Sequence, residues 1–249
     1  MNNRFYFDKD FGFFIGQLTD NKPHKHYAQQ ISIAATGSIN VYWGEKKKLQ
    51  SKGVFINTNV PHHIDTNSLH LTILINPLSA TGHFLHNLYL GKLCCSLDSL
   101  DEYTCVSLSS LLSLFSADQI TFPNLTKRIV DIMYKLKCSC EEEIHVKNEK
   151  VFHAIKYMEK NFDEVLSLKD VAAYSCISET SFLHLFKQYT GLRFRRYQLW
   201  NRLIKSLPYL MQHTIADTAY SYGFTDNSHY TRTFVESFGI SPSLLLYKK

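Results

Sequence analysis

The C-terminal hundred residues contain an internal repeat, and this limits the possible folds more than any other feature of the chain. Leu168–Ile177 aligns with Ile215–Phe224 at an offset of 47, and Phe182–Gly191 aligns with Tyr230–Gly239 at an offset of 48. A repeat of this period marks two copies of one supersecondary unit, the second with one extra residue in its turn. Each copy reads as helix-turn-helix. In the first, Val171 and Ala172 face inward, Cys176 and Ile177 make the turn, Ser178 caps the next helix, and Phe182, Leu185 and Phe186 bury one side of it. In the second, Ala219 takes the close-approach position, Gly223 the turn and Asp226 the cap, with Tyr230 and Phe234 packing. Glycine adopts a positive φ freely, so Cys176 is less suited to its turn than Gly223, which predicts a strained or differently angled first unit.

With those faces buried, the opposite faces are Thr180, Leu183, His184 and Lys187 in the first unit and Asn227, Ser228, Thr231 and Arg232 in the second. Arg232 can donate bidentately to a guanine edge and Asn227 can read adenine. Lys187, Arg193, Arg195 and Arg196 suit phosphates, which set affinity and register without carrying sequence information. The chain's net charge of +5 does not by itself name a partner, but residues 148–249 hold 13 basic and 9 acidic side chains, so most of the excess lies there.

Phe186–Gly191, Gly223–Phe234 and the closing Gly239–Pro242 resemble the signature of the AraC/XylS family of bacterial transcription regulators, over roughly residues 150–247. The resemblance implies two helix-turn-helix units joined by a long helix, here about 194–211, with recognition helices in successive major grooves of double-stranded DNA. It places Thr180, Leu183 and His184, then Asn227, Ser228, Thr231 and Arg232, at base-reading positions. The chain departs from the pattern in two ways. Leu183 and His184 stand where longer polar side chains are common, which predicts weak readout by the first unit. The stretch 202–215 is about two residues short and contains Pro208, which predicts a kink.

The N-terminal half has a different period. Ile31, Ile33 and Ala35 alternate with polar positions, as do Ile39, Val41 and Trp43. A turn at Gly44, then Gly53–Ile56 and Leu69–Ile75, complete a set of short strands over about 5–76 that predicts a small barrel or jelly roll. From about 80 to 137 the spacing is helical: Phe84, Leu85, Leu88 and Tyr89 form one stripe, and Leu125, Ile129, Ile132, Met133 and Leu136 another, read as core or as a partner-helix face. The expected architecture is α+β in two domains. Residues 1–140 form a cupin-like β-barrel with a helical dimerisation segment. After an acidic linker at 141–143, residues 148–249 form an all-α tandem helix-turn-helix with units at 168–190 and 215–238.

His24, His26, Gln30 and Gly37 follow the spacing of the first cupin motif, with Gln where metal-binding members carry Glu, and Gly53 through Pro61, His62 and His63 resemble the second. Two imidazoles on one strand and a third from a neighbour can hold a divalent metal. With the carboxylate missing, the expectation is a small-molecule pocket without metal or other cofactor, lined by His24, His26, Tyr42, Trp43, Phe55 and His62. Strand alternation forbids Tyr42 and Trp43 from both pointing inward.

The chain shows no signal-peptide pattern at its start and no apolar run of spanning length. It also has no Ser/His/Asp constellation, phosphate loop or dinucleotide fingerprint, and its six cysteines lack framework spacing. The expectation is a cytoplasmic, non-enzymatic, effector-responsive activator that acts as a homodimer on DNA, with RNA polymerase as a further partner. The alternatives are a cupin-type metalloenzyme with a vestigial helical tail and a ligand-independent regulator whose barrel serves only for dimerisation.

Overall fold

The computed structural model describes residues 3–17, 22–45, 47–97, 102–161 and 165–246. The chain divides into two compact units, Met1–Ser139 with Val235–Ile240, and Cys140–Phe234 with Ser241–Lys249.

The first unit is built from strands β1 (Arg4–Phe7), β2 (Phe11–Gly16), β3 (Gln29–Ala34), β4 (Ile39–Trp43), β5 (Lys47–Ser51), β6 (Gly53–Ile56), β7 (His62–Asp65) and β8 (His70–Ile75). Helix α1 (Ala80–Leu88), strand β9 (Cys94–Ser96) and helices α2 (Glu102–Ser116) and α3 (Phe122–Lys135) follow. The strands make a six-stranded antiparallel sheet in the order β1-β2-β8-β3-β6-β9 and a three-stranded sheet in the order β5-β4-β7. The expected closed barrel is not formed among the described residues. Where β5 passes into β6, the chain leaves one sheet for the other at Ser51–Lys52. There a side-chain bond from Ser51 to Ser96 (2.9 Å) and a single main-chain bond from Ala34 to Lys52 (2.9 Å) replace a continuous ladder.

Alternation along the large sheet separates two cores. Ile31, Ile33, Phe55, Leu71 and Ile73 face the helices and pack with Leu85, Leu108, Leu112, Leu125, Ile129 and Met133. Ala34, Val54 and Ile56 face the other way and pack with Ile39, Val41, Val60 and Ile64. The α3 stripe is therefore core: Leu125, Ile129 and Met133 are fully buried within their own unit, so the face read as a candidate partner surface is already occupied. The sequence reading did not single out α2, although Leu108, Leu111, Leu112 and Phe115 carry helical spacing.

The second unit contains α4 (Glu142–Val146), α5 (Glu149–Lys160), α6 (Leu168–Tyr174), α7 (Glu179–Thr190), α8 (Phe194–Leu210), α9 (Ile215–Ser221) and α10 (Asn227–Phe238) as far as Phe234, with a 3-10 turn at Pro242–Leu244. The acidic run expected to be a linker instead opens α4, where Glu142 and Glu143 occupy the first turn and meet the positive end of the helix dipole. Helix α8 runs through Pro208, close enough to its end that only the last turn loses a backbone bond.

Candidate nucleic-acid interface and a buried histidine cluster

The two helix-turn-helix units repeat their local chemistry as well as their sequence. Ser167 caps α6 by accepting from the Asp170 amide (3.1 Å) while its hydroxyl donates to the Asp170 carboxylate (2.6 Å). Thr214 and Asp217 do the same at α9, at 3.1 and 2.6 Å. Both turns pass through the left-handed region, at Cys176 (φ 54°) and Gly223 (φ 68°). The second helices are capped by Ser178, which accepts from the Ser181 amide (3.2 Å), and by Asp226, which accepts from the His229 amide (2.8 Å). Ala172 and Ala219, at matching positions, are 1% exposed, as close helix crossing requires.

Each second helix buries one face and presents the other. On α7, Phe182 and Phe186 are fully buried against Phe194 and Tyr197, with ring centroids 5.3 to 5.9 Å apart across these pairs. Thr180, Leu183, His184 and Lys187 are exposed on the opposite side. On α10, Tyr230 and Phe234 are buried, Asn227, Ser228 and Arg232 are exposed, and Thr231 is half-buried. Arg193 and Arg195 are exposed at the start of α8, beside the end of α7. Among the described residues, no ion pair engages Lys187, Arg193, Arg195 or Arg232, so their charges can meet an external anion.

Helix α8 is tied to both units. Gln198 donates to the Leu166 carbonyl (2.8 Å) ahead of the first unit, and Arg202 donates to the Gly223 carbonyl (3.2 Å) in the second turn. Ser206 shares a buried hydrogen bond with the Tyr230 hydroxyl (2.8 Å). Sequence reading missed these braces because a polar residue on a helix gives no sign of which carbonyl it will meet.

In the first unit, the loop before β3 and the start of β7 bring three of the six proposed pocket residues together. His24, His26 and His62 are buried, with ring centroids 4.5 to 5.6 Å apart. A pair of main-chain bonds between His24 and His62, each 2.9 Å, locks the two segments side by side. Trp43 lies opposite His62 in the β4–β7 register and is half-buried on the same inner face. Tyr42 and Phe55 are not brought to the histidines. Tyr42 lies on the other face of β4, stacked on His63 at 4.6 Å, as alternation demands of one member of the Tyr42–Trp43 pair. Phe55 faces the helices and stacks on Tyr89 at 4.4 Å.

Gln30 joins the group instead. Its amide oxygen lies 2.9 Å from His26 Nε2 and 3.3 Å from His62 Nε2, while its amide nitrogen donates to Ser32 Oγ (2.9 Å), itself 2.8 Å from Thr72 Oγ1. His70 lies on the same face of the large sheet. The readable signal for this polar seam was Gln30 and Ser32 alternating with the apolar Ile31 and Ile33 inside one strand. Burial holds His24 down at about 3, with the nearby His26 adding to the effect. It also lowers His26 and His62, and places His70 at about 4, so all four imidazoles are neutral at neutral pH.

A family model described as a helix-turn-helix domain matches residues 171–246. The transcriptional activator RhaS of Escherichia fergusonii is 33% identical over 93 residues, covering 36% of this chain and 33% of RhaS. The transcriptional regulator ArgR of Pseudomonas aeruginosa is 26% identical over 144 residues, covering 54% of this chain and 44% of ArgR. The chain thus aligns with less than half the length of either regulator. Among solved structures, ToxT of Vibrio cholerae with a bound unsaturated fatty acid superposes with a TM-score of 0.59 at 13% identity, covering 98% of each chain. That likeness shows a shared fold, with a sheet-rich first part and a helical second part.

Proposed function

Residues 171–246 are a helix-turn-helix domain of the AraC type, and from that premise we propose that the chain is a sequence-specific DNA-binding transcriptional regulator. The observation that carries this reading is the duplicated unit, capped and turned alike in both copies, with an exposed face on each second helix. Thr180, Leu183, His184, Asn227, Ser228, Thr231 and Arg232 are the base-facing residues, and Lys187, Arg193 and Arg195 the phosphate contacts. Leu183, 42% exposed on a helix whose apolar face is already spent, suits a thymine methyl better than water.

The N-terminal unit acts as the sensing part, and the polar seam around His24, His26 and His62, with Trp43 beside it, is its ligand site. The ToxT likeness supports a ligand in a unit of this fold, since that structure contains a fatty acid. A ligand shifts the regulator only by binding two arrangements with different affinity. Activation, a homodimeric state, contact with RNA polymerase and a cytoplasmic site of action belong to the same proposal, the first of them in line with the named activator RhaS among the relatives. No helix among the described residues is long and apolar enough to cross a membrane.

Selection of bound duplexes from a random DNA pool tests the reading. Enrichment of a site with two segments about one helical turn apart is the expected result. Folded protein that enriches no sequence, either as the full chain or with small molecules added, would overturn it.

A further inference from the structure

We propose that the outer edge of β1 is where a second copy of this chain joins, the two β1 strands pairing antiparallel about a two-fold axis at Tyr6. This interface rests on the homodimeric state of the regulator reading and gives that state a surface.

Strand β1 ends the six-stranded sheet and, among the described residues, pairs with β2 alone, in the register Arg4↔Ile15 to Phe7↔Gly12. The Asp8 amide donates to the Phe11 carbonyl (2.9 Å), so the backbone of Asp8 points toward β2. Backbone polar groups alternate in direction along a strand. Those of Tyr6 and Arg4 therefore also turn toward β2, and those of Phe5 and Phe7 turn outward. An outward row of N–H and C=O groups is a template for another strand, which edges normally blunt with lysine, proline or a bulge. β1 reads Arg-Phe-Tyr-Phe in an unbroken one-to-one register and carries none of these.

The edge is complementary to itself, as an isologous contact requires. With Tyr6 on the axis, Phe5 meets Phe7 of the second copy and Arg4 meets its Asp8. The outward-pointing Phe5 and Phe7 then make the hydrogen-bonded pairs, and Tyr6 becomes a close non-hydrogen-bonded pair with its own copy. Side chains match on both faces of the joined sheet. Arg4, Tyr6 and Asp8 share the face toward the helices, where Arg4 lies over the Phe122 ring (5.8 Å) and Asp8 accepts from the Tyr6 (3.0 Å) and Tyr134 (2.8 Å) hydroxyls. Among the described residues neither Arg4 nor Asp8 has an ion pair within its own chain, and the pairing supplies one on each side of the axis. On the opposite face Phe5 and Phe7 are half-buried, with Phe14 stacked 5.2 Å from Phe5, and the pairing sets the phenyl rings of both copies side by side. Cross-strand aromatic and opposite-charge pairs both stabilise a sheet. A foreign strand would have to bring a base and an acid at the right two ends, whereas a second copy has them by construction. The α3 stripe, the other apolar face expected to dimerise, is already spent in the core of its own unit.

Sedimentation equilibrium of the full chain without DNA tests the surface, and a reversible dimer is expected. Arg4→Glu and Asp8→Arg should each raise its dissociation constant by about 10-fold or more, because each sets like charges opposite one another twice. An equimolar mixture of the two variants should dimerise again, since the mixed dimer holds only opposite pairs. Where Asp8→Arg fails to fold, Tyr6→Cys gives a second reading. Cysteines on the axis would lie about 4.5 Å apart at Cα, within disulfide reach, and oxidation should yield a dimer joined through position 6 of both copies by peptide mass spectrometry. A wild-type chain that stays monomeric, a dimer unchanged by Arg4→Glu, or a Tyr6→Cys crosslink confined to the native cysteines overturns the proposal. Selection of DNA sites reads the regulator separately. A monomer that still enriches a site loses this interface alone, and a β1-joined dimer that enriches none loses the regulator reading alone.

Discussion

Cys176 and Gly223 occupy the same step of two repeated turns, and both are left-handed, at φ 54° and 68°. The repeat dictates the backbone, and only one of the two residues is suited to it. A side chain in this region costs about 1–2 kcal/mol, partly offset in a Cys→Gly change by the extra freedom glycine gives the unfolded chain. Cys176→Gly is therefore expected to stabilise the second unit by about 0.5–1 kcal/mol. Gly223→Ala should destabilise it by about 1 kcal/mol through backbone strain, since the new methyl would meet the Arg202 guanidinium only at an ordinary 3.6 Å. Urea unfolding of the two variants checks both signs.

Arg232 and Lys187 are both exposed, but their roles differ. Arg232→Ala should cost about 1–3 kcal/mol on the best DNA site and relax preference at one base pair. Lys187→Ala should weaken all sequences alike and reduce the salt slope by about one unit. Binding titrations on matched and mutated duplexes at two salt concentrations separate the two effects. Unchanged affinity and preference in Arg232→Ala would mean that α10 enters the groove by another face.

The Ser206–Tyr230 hydrogen bond joins α8 to the second unit inside its core. Burial pushes the Tyr230 hydroxyl up to about 12, so it stays protonated across the working range. Tyr230→Phe keeps the ring packing and loses the bond, at an expected cost of about 1 kcal/mol. Thermal unfolding of the single variants and of Tyr230→Phe with Ser206→Ala gives the coupling, and full additivity would show that the bond contributes nothing.

His70 is fully buried, with its basicity lowered to about 4 by burial. Its folded value lies below the ordinary 6.5, so between the two the unfolded chain takes up a proton that the folded chain refuses. The contribution to stability is complete above about pH 6.5 and is lost as pH falls toward 4, reaching on the order of 3 kcal/mol at the acid end. His70→Asn should flatten the pH dependence by one proton over that window. The difference between the wild-type and variant urea midpoints at pH 7, 5.5 and 4.5 measures it.

The helical half was legible because its determinants are local. Caps at Ser178 and Asp226, turns at Cys176 and Gly223, and the Phe182/Phe186 and Tyr230/Phe234 faces all depend on residues within a few positions of one another. The exposed face followed from the buried one, so Arg232 and Lys187 could be placed without coordinates. The strands were legible too, from their period of two, and so was the fact that Tyr42 and Trp43 could not both face inward.

Strand order and the partners of individual polar groups lay outside the sequence's reach, because they depend on residues tens of positions apart. Nothing local shows that the ladder breaks at Ser51–Lys52 and leaves two sheets where a barrel was expected. The α3 stripe gave the right helix, but only tertiary packing assigned its apolar face to the core of its own unit. The sequence by itself determined the duplicated helical unit and the spacing that made His24, His26 and His62 candidates. Tertiary structure alone decided that Gln30 meets them and Phe55 does not, because one strand step sends a side chain to the opposite face of the sheet.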